Sequence, residues 1–232
     1  MKSEIDWNHT NKIIARGLYT GVAKILYNVT HKNLAKFGNN HAKIGDKILE
    51  IGSGRGEHLK YVSDTFSDYY MTDLTDWGQK EITQVAKSDP RIKFMIKNVE
   101  NLDFPKQFFD RVIASCVISH VDEPYQAMME LRRVVKDGGI LSFLISADPG
   151  ILLRTIREIL TKPKMKNLKQ PYSLVNAISH RNSANGLIIM SKYIFKNDNI
   201  RIKYYPFYLR SWNFSTHIIV NVKVKHSSIA KE

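Results

Sequence analysis

Three glycines at alternate positions follow a glutamate in the stretch "EIGSGRG", residues 50–56. The residues before them, 47–51, are apolar enough for a buried strand, and a helical pattern follows the loop. A strand, a glycine-rich loop and a helix N-terminus bring backbone N–H groups close to a ligand. The carboxylate of Glu50 narrows the choice of ligand, because it repels a pyrophosphate and attracts an ammonium group.

Two common phosphate-binding loops do not fit this stretch. A Walker loop requires a Gly-Lys pair, and the sequence contains none. A dinucleotide fingerprint requires a glycine at its third glycine position, and counting from Gly52 that position is Glu57.

Histidine is the first candidate for a general base, because its pKa lies near neutrality. His120 follows the fourth predicted strand, at the edge of the sheet where open α/β folds bind ligands. His180 lies in the polar segment "HRNSANGL", where Arg181 can grip a phosphate or carboxylate. His120 and His180 are therefore the candidate catalytic residues, while His217 fits a surface position equally well.

Arg210 is a further candidate for substrate binding. It lies in "YYPFYLRSWNF", residues 204–214, where aromatic side chains form either a sugar-stacking wall or ordinary packing. The candidate substrate-binding residues are His180, Arg181 and Arg210.

Strand-like and helical patterns alternate through the middle of the chain. The strand-like runs are 47–52, 69–73, 91–98, 110–118, 139–146, 199–208 and 215–225. Helical patterns cover 11–37, 58–66, 79–88, 124–136, 150–160 and 184–195. This order predicts an α/β, Rossmann-like doubly wound fold: a mainly parallel seven-stranded sheet with an antiparallel C-terminal hairpin and helices on both faces.

The net charge of +13 favours anionic partners. Phosphorylated or lipid-linked metabolites, nucleic acid and a membrane surface all remain open, and Lys12, Arg16 and Lys24 on the first amphipathic stretch suit peripheral membrane contact. The one cysteine fits a reducing cytosol, and neither a spanning segment nor a secretory signal is evident, so we expect a cytoplasmic protein. Oligomeric state is not encoded in any pattern.

The glycine loop and three later stretches together resemble the class I S-adenosylmethionine-dependent methyltransferases, particularly their small-molecule, type 11-like branch. The later stretches are "YYMTD" ending at Asp73, "KNVENLDFPKQFFDRVIAS" at 97–115 and "SHVDEPYQAMMELRRVVKDGG" at 119–139. They occur in the family's order over residues 44–146, with Asn98 where the family usually has Asp.

The resemblance implies S-adenosyl-L-methionine as cofactor, S-adenosyl-L-homocysteine as product and no metal. It implies that Glu50 organises the loop, that Gly52 and Gly54 let the backbone approach the ligand, and that Asp73 accepts the ribose hydroxyls. The implied cofactor-binding residues are Glu50, Gly52, Ser53, Gly54, Gly56, Asp73, Leu74, Asn98, Val99, Glu100 and Ser115.

The resemblance also divides the chain. It implies an N-terminal helical cap at 1–40, a cofactor-binding core at 41–149, a helical acceptor lid at 150–198 and a C-terminal hairpin at 199–232.

Methyl transfer by in-line displacement to an oxygen of a sugar, nucleotide-linked or lipid-linked metabolite is the leading hypothesis. An RNA methyltransferase is the alternative, and a catalytically silent cofactor-binding protein is a third. The residues after the fourth strand, "ASCVI", lack the [DN]-P-P-[YF] motif of nucleic-acid amino-methyltransferases. Cys116 would be a nucleophile for pyrimidine C5 methylation, but Ser115 replaces the usual preceding proline and a buried thiol is a common core filler.

Overall fold

The computed structural model describes residues 5–18 and 20–226. The outer ends of the predicted cap and hairpin, residues 1–4 and 227–232, lie outside this range, as does residue 19.

A seven-stranded sheet forms the centre of the molecule. Its strands are β1 (Asp46–Ile51), β2 (Phe66–Asp73), β3 (Ile92–Ile96), β4 (Phe109–Ala114), β5 (Val135–Ser146), β6 (Asn199–Pro206) and β7 (Ser215–Lys223). Their order across the sheet is β3-β2-β1-β4-β5-β7-β6, with β1 to β5 parallel and β7 antiparallel to both β5 and β6. The predicted doubly wound sheet with its C-terminal hairpin is confirmed.

Seven α-helices are described around the sheet. They are α1 (Trp7–Leu18), α2 (Gly21–Asn39), α3 (Gln79–Ser88), α4 (Pro124–Val134), α5 (Ile151–Ile156), α6 (Tyr172–Ser179) and α7 (Ala184–Ile194). A π-helical turn at Arg157–Thr161 continues α5. No helix of the described residues is long and apolar enough to cross a membrane.

Apolar side chains cover both faces of the sheet. Leu34 of α2 and Ile82 of α3 are buried in one core cluster, whereas Met128 of α4 and Leu187 of α7 are buried in the other. Burial on both faces explains why the parallel strands appear in the sequence as nearly continuous apolar runs.

The helix predicted at 58–66 is wrong. Only a 3₁₀ turn at Leu59–Tyr61 forms, and β2 already begins at Phe66. Asn39, at the end of α2, donates from Nδ2 to the Tyr61 carbonyl over 2.7 Å and accepts the Ser63 N–H over 3.2 Å. These bonds capture backbone groups that a longer helix would need internally, and α2 covers this face of the sheet instead.

Other elements also differ from the sequence pattern. The fourth strand ends at Ala114 instead of continuing to 118, because Cys116 has a φ of 60°, which no strand accommodates. Helix α6 was not predicted at all, since its eight residues carry too short an apolar pattern.

Candidate cofactor and acceptor site

The glycine loop connects β1 to the 3₁₀ turn in a left-handed conformation. Gly52 has a φ of 69° and Gly54 a φ of 55°. A Cβ on Gly52 would lie 2.2 Å from Cγ2 of Val117, so the space beside this backbone admits no side chain. The loop therefore presents bare backbone at the carboxyl end of the parallel strands, where open α/β sheets bind ligands.

Asp73, at the end of β2, lies directly against the glycine loop. Its Oδ2 accepts the Gly54 N–H over 3.1 Å and its Oδ1 accepts the Thr75 N–H over 3.3 Å. Burial raises the pKa of the Asp73 carboxyl. The next residue, Leu74, leaves 66% of its surface exposed at the same edge.

Glu50 is buried beneath the loop. The Tyr69 hydroxyl donates to its Oε2 over 2.7 Å. Burial raises the pKa of Glu50 to about 8. Its Oε1 and the Oγ of Ser53 are buried without a hydrogen-bond partner among the described residues. Buried polar atoms of this kind normally have partners, so these two are suited to groups of a bound ligand.

The segment after β3 is held by its own turn, by the start of α4 and by the core. Asn98 lies exposed, and its Oδ1 accepts the Glu100 N–H over 2.9 Å. Oε1 of Glu100 accepts the N–H groups of Asp122 and Glu123, so its side chain caps the start of α4. The neighbouring Val99 is buried in the core.

Ser115 and the residues after it run from the glycine loop to the first candidate histidine. The Ser115 N–H donates to the Ile51 carbonyl over 3.4 Å, and Val117 fills the space beside Gly52. Three residues later, His120 lies at the same edge of the sheet.

The structure brings the two candidate histidines together. The ring centroids of His120 and His180 are 4.4 Å apart, in an edge-to-face arrangement. Nδ1 of His120 lies 2.8 Å from the Ser179 carbonyl, which can only accept, so Nδ1 carries the proton and Nε2 the lone pair. Burial, reinforced by the positive charge of Arg157, lowers the pKa of His120, although the bond to Ser179 opposes the shift.

His180 has the same tautomer for a different reason. Its Nε2 lies 3.1 Å from the Arg157 guanidinium, which can only donate. Its Nδ1 lies 3.1 Å from the Ser179 hydroxyl, which donates in turn to the Asn176 carbonyl. Burial, His120 and Arg157 together lower the pKa of His180 well below its ordinary value.

Comparisons with known proteins find methyltransferases among the proteins that this chain resembles. Residues 49–143 match the family model described as "Methyltransferase domain". A polyketide synthase-nonribosomal peptide synthetase of Aspergillus clavatus is 32% identical over 106 residues, 42% of this chain and 3% of that protein. A ubiquinone/menaquinone biosynthesis C-methyltransferase of Coxiella burnetii is 25% identical over 116 residues, 47% of this chain and 46% of that protein.

A solved structure agrees at the level of the fold. The N-methyltransferase NodS of Bradyrhizobium japonicum, in complex with S-adenosyl-L-homocysteine, superposes with a TM-score of 0.64 at 14% identity, over 94% of this chain and 99% of that one. Over residues 49–143, less than half of its length, the chain is similar to methyltransferase domains. Its match spans less than half the length of either relative named above.

Two features around the glycine loop were missed in the sequence. A Cβ on Gly78 would lie 1.7 Å from the Gly54 carbonyl oxygen, and Trp77 packs beside Gly54. The available signal was a glycine five residues after the end of β2. A glycine is needed there only because the loop of Gly78 contacts the distant loop of Gly54. Helix α1 also approaches this loop, and a cleft of about 340 Å³ is lined by Lys12, Arg16, Arg55, Trp77 and Glu81.

The surroundings of the two histidines contain an ionic network that the sequence did not reveal. Arg157 forms an ion pair with Asp148 and donates to Oγ of Ser146 over 3.0 Å. Oγ of Ser146 donates to Asp148 over 2.6 Å, and Oγ of Ser119 accepts the Ser146 N–H over 3.2 Å. This network fixes Arg157 beside His180.

The other candidates lie in different surroundings. Arg181 forms an ion pair with Asp122, and Arg210 is exposed near Tyr204. His217 is buried on the α2 side of the sheet, where its ring stacks on Tyr205. Burial raises the pKa of the Cys116 thiol to about 11, which disfavours a thiolate nucleophile.

Proposed function

We propose that this chain is an S-adenosylmethionine-dependent methyltransferase acting on a small-molecule acceptor, with His120 as general base. One observation carries the proposal. The short segment from Ser115 to His120 connects the glycine loop, through Val117, to a partly buried histidine whose tautomer leaves Nε2 unprotonated. A cofactor cradle and a proton acceptor are thereby held on one edge of the sheet.

The residues around the loop fit the amino-acid end of the cofactor. Glu50 and Ser53 each offer a buried polar atom without a partner among the described residues, and Gly52, beside which Val117 packs, keeps the loop in its left-handed conformation. We propose that Asp73 binds the ribose and that Leu74 and Asn98 bind the adenine, with Gly54, Gly56, Val99, Glu100 and Ser115 completing the site. When bound, the cofactor supplies an electrophilic methyl group on a sulfonium.

His120 removes the proton from the acceptor in this proposal. Its lowered pKa keeps the imidazole neutral at pH 7, so the Nε2 lone pair can accept a proton. The Ser179 carbonyl holds the ring in position and stabilises the proton on Nδ1. His180, whose Nε2 already accepts a bond from Arg157, is better suited to orienting His120 than to acting as the base.

The proposed acceptor atom is an oxygen of a sugar, nucleotide-linked or lipid-linked metabolite. The Coxiella relative is named a C-methyltransferase and the Bradyrhizobium protein an N-methyltransferase, so the methylated atom must be measured directly. An anionic acceptor is favoured because residues 159–197, within the proposed lid at 150–198, contain seven Lys and Arg and no Asp or Glu. His180, Arg181 and Arg210 remain the proposed acceptor contacts.

The remaining assignments belong to the same proposal. Residues 1–40 form a cap, 41–149 the cofactor core and 199–232 the hairpin, and the contact of α1 with the glycine-loop cleft supports the cap. A cytoplasmic location fits the single cysteine.

Transfer of a labelled methyl group tests this function. The protein is incubated with methyl-labelled cofactor and fractionated cell metabolites, and labelled products are identified by mass spectrometry and NMR. We expect label on an oxygen of a small molecule, lost in His120→Ala and retained in His41→Ala, an exposed histidine on the loop after α2. Label found only on RNA would support the RNA alternative, and cofactor binding without any labelled product would support the silent binder.

A further inference from the structure

The positive charge of the chain is concentrated in two segments. Residues 7–45 contain six Lys and Arg, and residues 159–197 contain seven, while neither segment contains Asp or Glu. The remaining 22 Lys and Arg are matched by 22 Asp and Glu, so these two acid-free segments account for the whole net charge of +13.

The two acid-free segments contact each other. Nζ of Lys164 donates to the Thr20 carbonyl over 2.8 Å, between α1 and α2. Met165 is buried against α1, where a Cβ on Gly17 would lie 2.3 Å from its Cε. Helix α2 also contacts the π-helical turn at Arg157–Thr161. Residues 159–169 therefore form one cationic surface with α1 and α2, whereas α7, later in the second segment, packs over the other core cluster.

Large aliphatic side chains are exposed on this surface. On α2, Ile25 is 63% exposed, Leu26 43% and Val29 49%, and Ile159 on the π-helical turn is 65% exposed. Ile25 and Val29 are four residues apart and Leu26 and Val29 three apart, so they share one helix surface. We call these four residues the aliphatic face.

Lysines surround the aliphatic face. Lys24 precedes it, and Lys32 and Lys36 extend the stripe of Ile25 and Val29 along α2, all three exposed. On the neighbouring segment Lys162 is exposed and paired with Glu158, and Lys166 is exposed. Aliphatic side chains bordered by lysines are the pattern of helices that lie in the interface of a lipid bilayer.

We propose that the aliphatic face docks on an anionic lipid bilayer. The lysines are attracted to anionic headgroups, and the four aliphatic side chains enter the boundary between headgroups and acyl chains. Single-stranded nucleic acid is a poorer fit, since its binding uses aromatic rings for stacking and the exposed members of this face are aliphatic.

The position of Ile159 relates this surface to the acceptor side. Ile159 and Arg157 lie on the same helical turn, Ile159 exposed and Arg157 bonded to His180. Because residues two apart point to opposite faces of a helix, this one turn would separate a docked lipid surface from the histidine pair. The docking proposal itself does not depend on methyl transfer.

Cosedimentation with vesicles tests the docking. The protein is mixed with vesicles of phosphatidylcholine alone or of phosphatidylcholine with phosphatidylglycerol, at low and high salt. We expect binding to the anionic vesicles only, weakened by salt, and about tenfold weaker in the double variant Ile25→Gln, Val29→Gln. Ile189→Gln on α7 is the control, because Ile189 is 59% exposed but lies over the other core cluster. This variant should bind the vesicles like the wild type.

Circular dichroism and thermal melting of both variants establish that they are folded. Binding to neutral and anionic vesicles alike, or unchanged binding of the double variant, would overturn the proposal. The proposal would also be overturned, in favour of a nucleic-acid surface, if single-stranded RNA displaced the protein from the vesicles and the Ile25→Gln, Val29→Gln variant bound that RNA more weakly.

Discussion

His120 and His180 meet edge to face, with ring centroids 4.4 Å apart, although they follow different elements of the chain. Both are bound to Ser179, His120 through its carbonyl and His180 through its hydroxyl. The Ser179 carbonyl specifies the tautomer of His120 and the Arg157 guanidinium that of His180, in both rings with the proton on Nδ1. Arg157 donates a hydrogen bond to Nε2 of His180 and not to Nε2 of His120, so the two rings differ chemically.

The tautomer of His120 is the first prediction. Nitrogen-15 NMR of the imidazole rings should show His120 protonated on Nδ1 at pH 7, and its titration should occur below the ordinary value of 6.5 because burial lowers its pKa. His41, exposed and bonded to the Phe37 carbonyl, provides the comparison ring. An Nε2-protonated His120, or one charged at pH 7, would contradict the proposed base.

Arg157 should depress the pKa of both histidines. Arg157→Leu removes its positive charge and its bond to Nε2 of His180, so the pKa values of His120 and His180 should rise. Arg154→Leu, an exposed arginine of the same helix, should leave both unchanged. The readout is the NMR titration of the two rings, and equal titration curves in both variants would exclude this role for Arg157.

Cofactor binding should release a proton from Glu50. With a pKa of about 8, Glu50 is mainly protonated at pH 7, and a nearby ammonium group favours its ionised form. Affinity for S-adenosylhomocysteine should therefore increase as the pH rises from about 6 to 8. Calorimetry in buffers of different ionisation enthalpy measures the released proton, and Glu50→Gln should bind without releasing one.

The raised pKa of Glu50 should make the folded protein less stable as the pH rises, whereas it should make cofactor binding tighter. Between the ordinary carboxyl value of 4.5 and about 8, folded Glu50 holds a proton that the unfolded chain has lost. The Glu50 contribution to the free energy of unfolding therefore decreases with rising pH in this window, by up to about 1.4 kcal/mol per pH unit. Denaturant unfolding of wild type and Glu50→Gln should show this slope in the wild type alone, and parallel pH dependence of the two would refute it.

Gly78 should be essential to the cofactor loop. In Gly78→Ala, the new Cβ would lie 1.7 Å from the Gly54 carbonyl oxygen and 2.4 Å from its carbonyl carbon, so the loop must move. We expect at least about tenfold weaker binding of S-adenosylhomocysteine, because displacement of a preorganised loop reduces affinity. Gly186→Ala on α7, whose Cβ would approach only the Ser183 hydroxyl at 3.2 Å, should bind normally. Normal binding by both variants would show that Gly78 is not required.

Much of this arrangement follows from local sequence. Apolar runs with intervening helical patterns specify the strands, and the glutamate and alternate glycines specify the loop after β1. The helix expected at 58–66 fails because Asn39, distant in sequence, captures the backbone of Tyr61 and Ser63. A local pattern contains no information about such a partner.

The surroundings of the two histidines could be predicted even less well from the sequence. His120 and His180 are recognisable as chemically suitable residues, but Arg157 and Asp148 acquire their roles only when α5 and its π-helical turn pack beside α6. Gly78 is similar, since only its contact with Gly54 requires a glycine. Such residues act through long-range contacts, which spacing along the chain does not encode.

Calorimetric titration with S-adenosylhomocysteine, on wild type, Asp73→Ala and the exposed control Asp76→Ala, tests the central claim most directly. Asp73 accepts the Gly54 N–H and is the proposed ribose ligand, so its loss should remove both loop support and ligand contacts. The account predicts micromolar binding by wild type and Asp76→Ala and its loss in Asp73→Ala. Folded wild-type protein that does not bind S-adenosylhomocysteine would contradict the cofactor site.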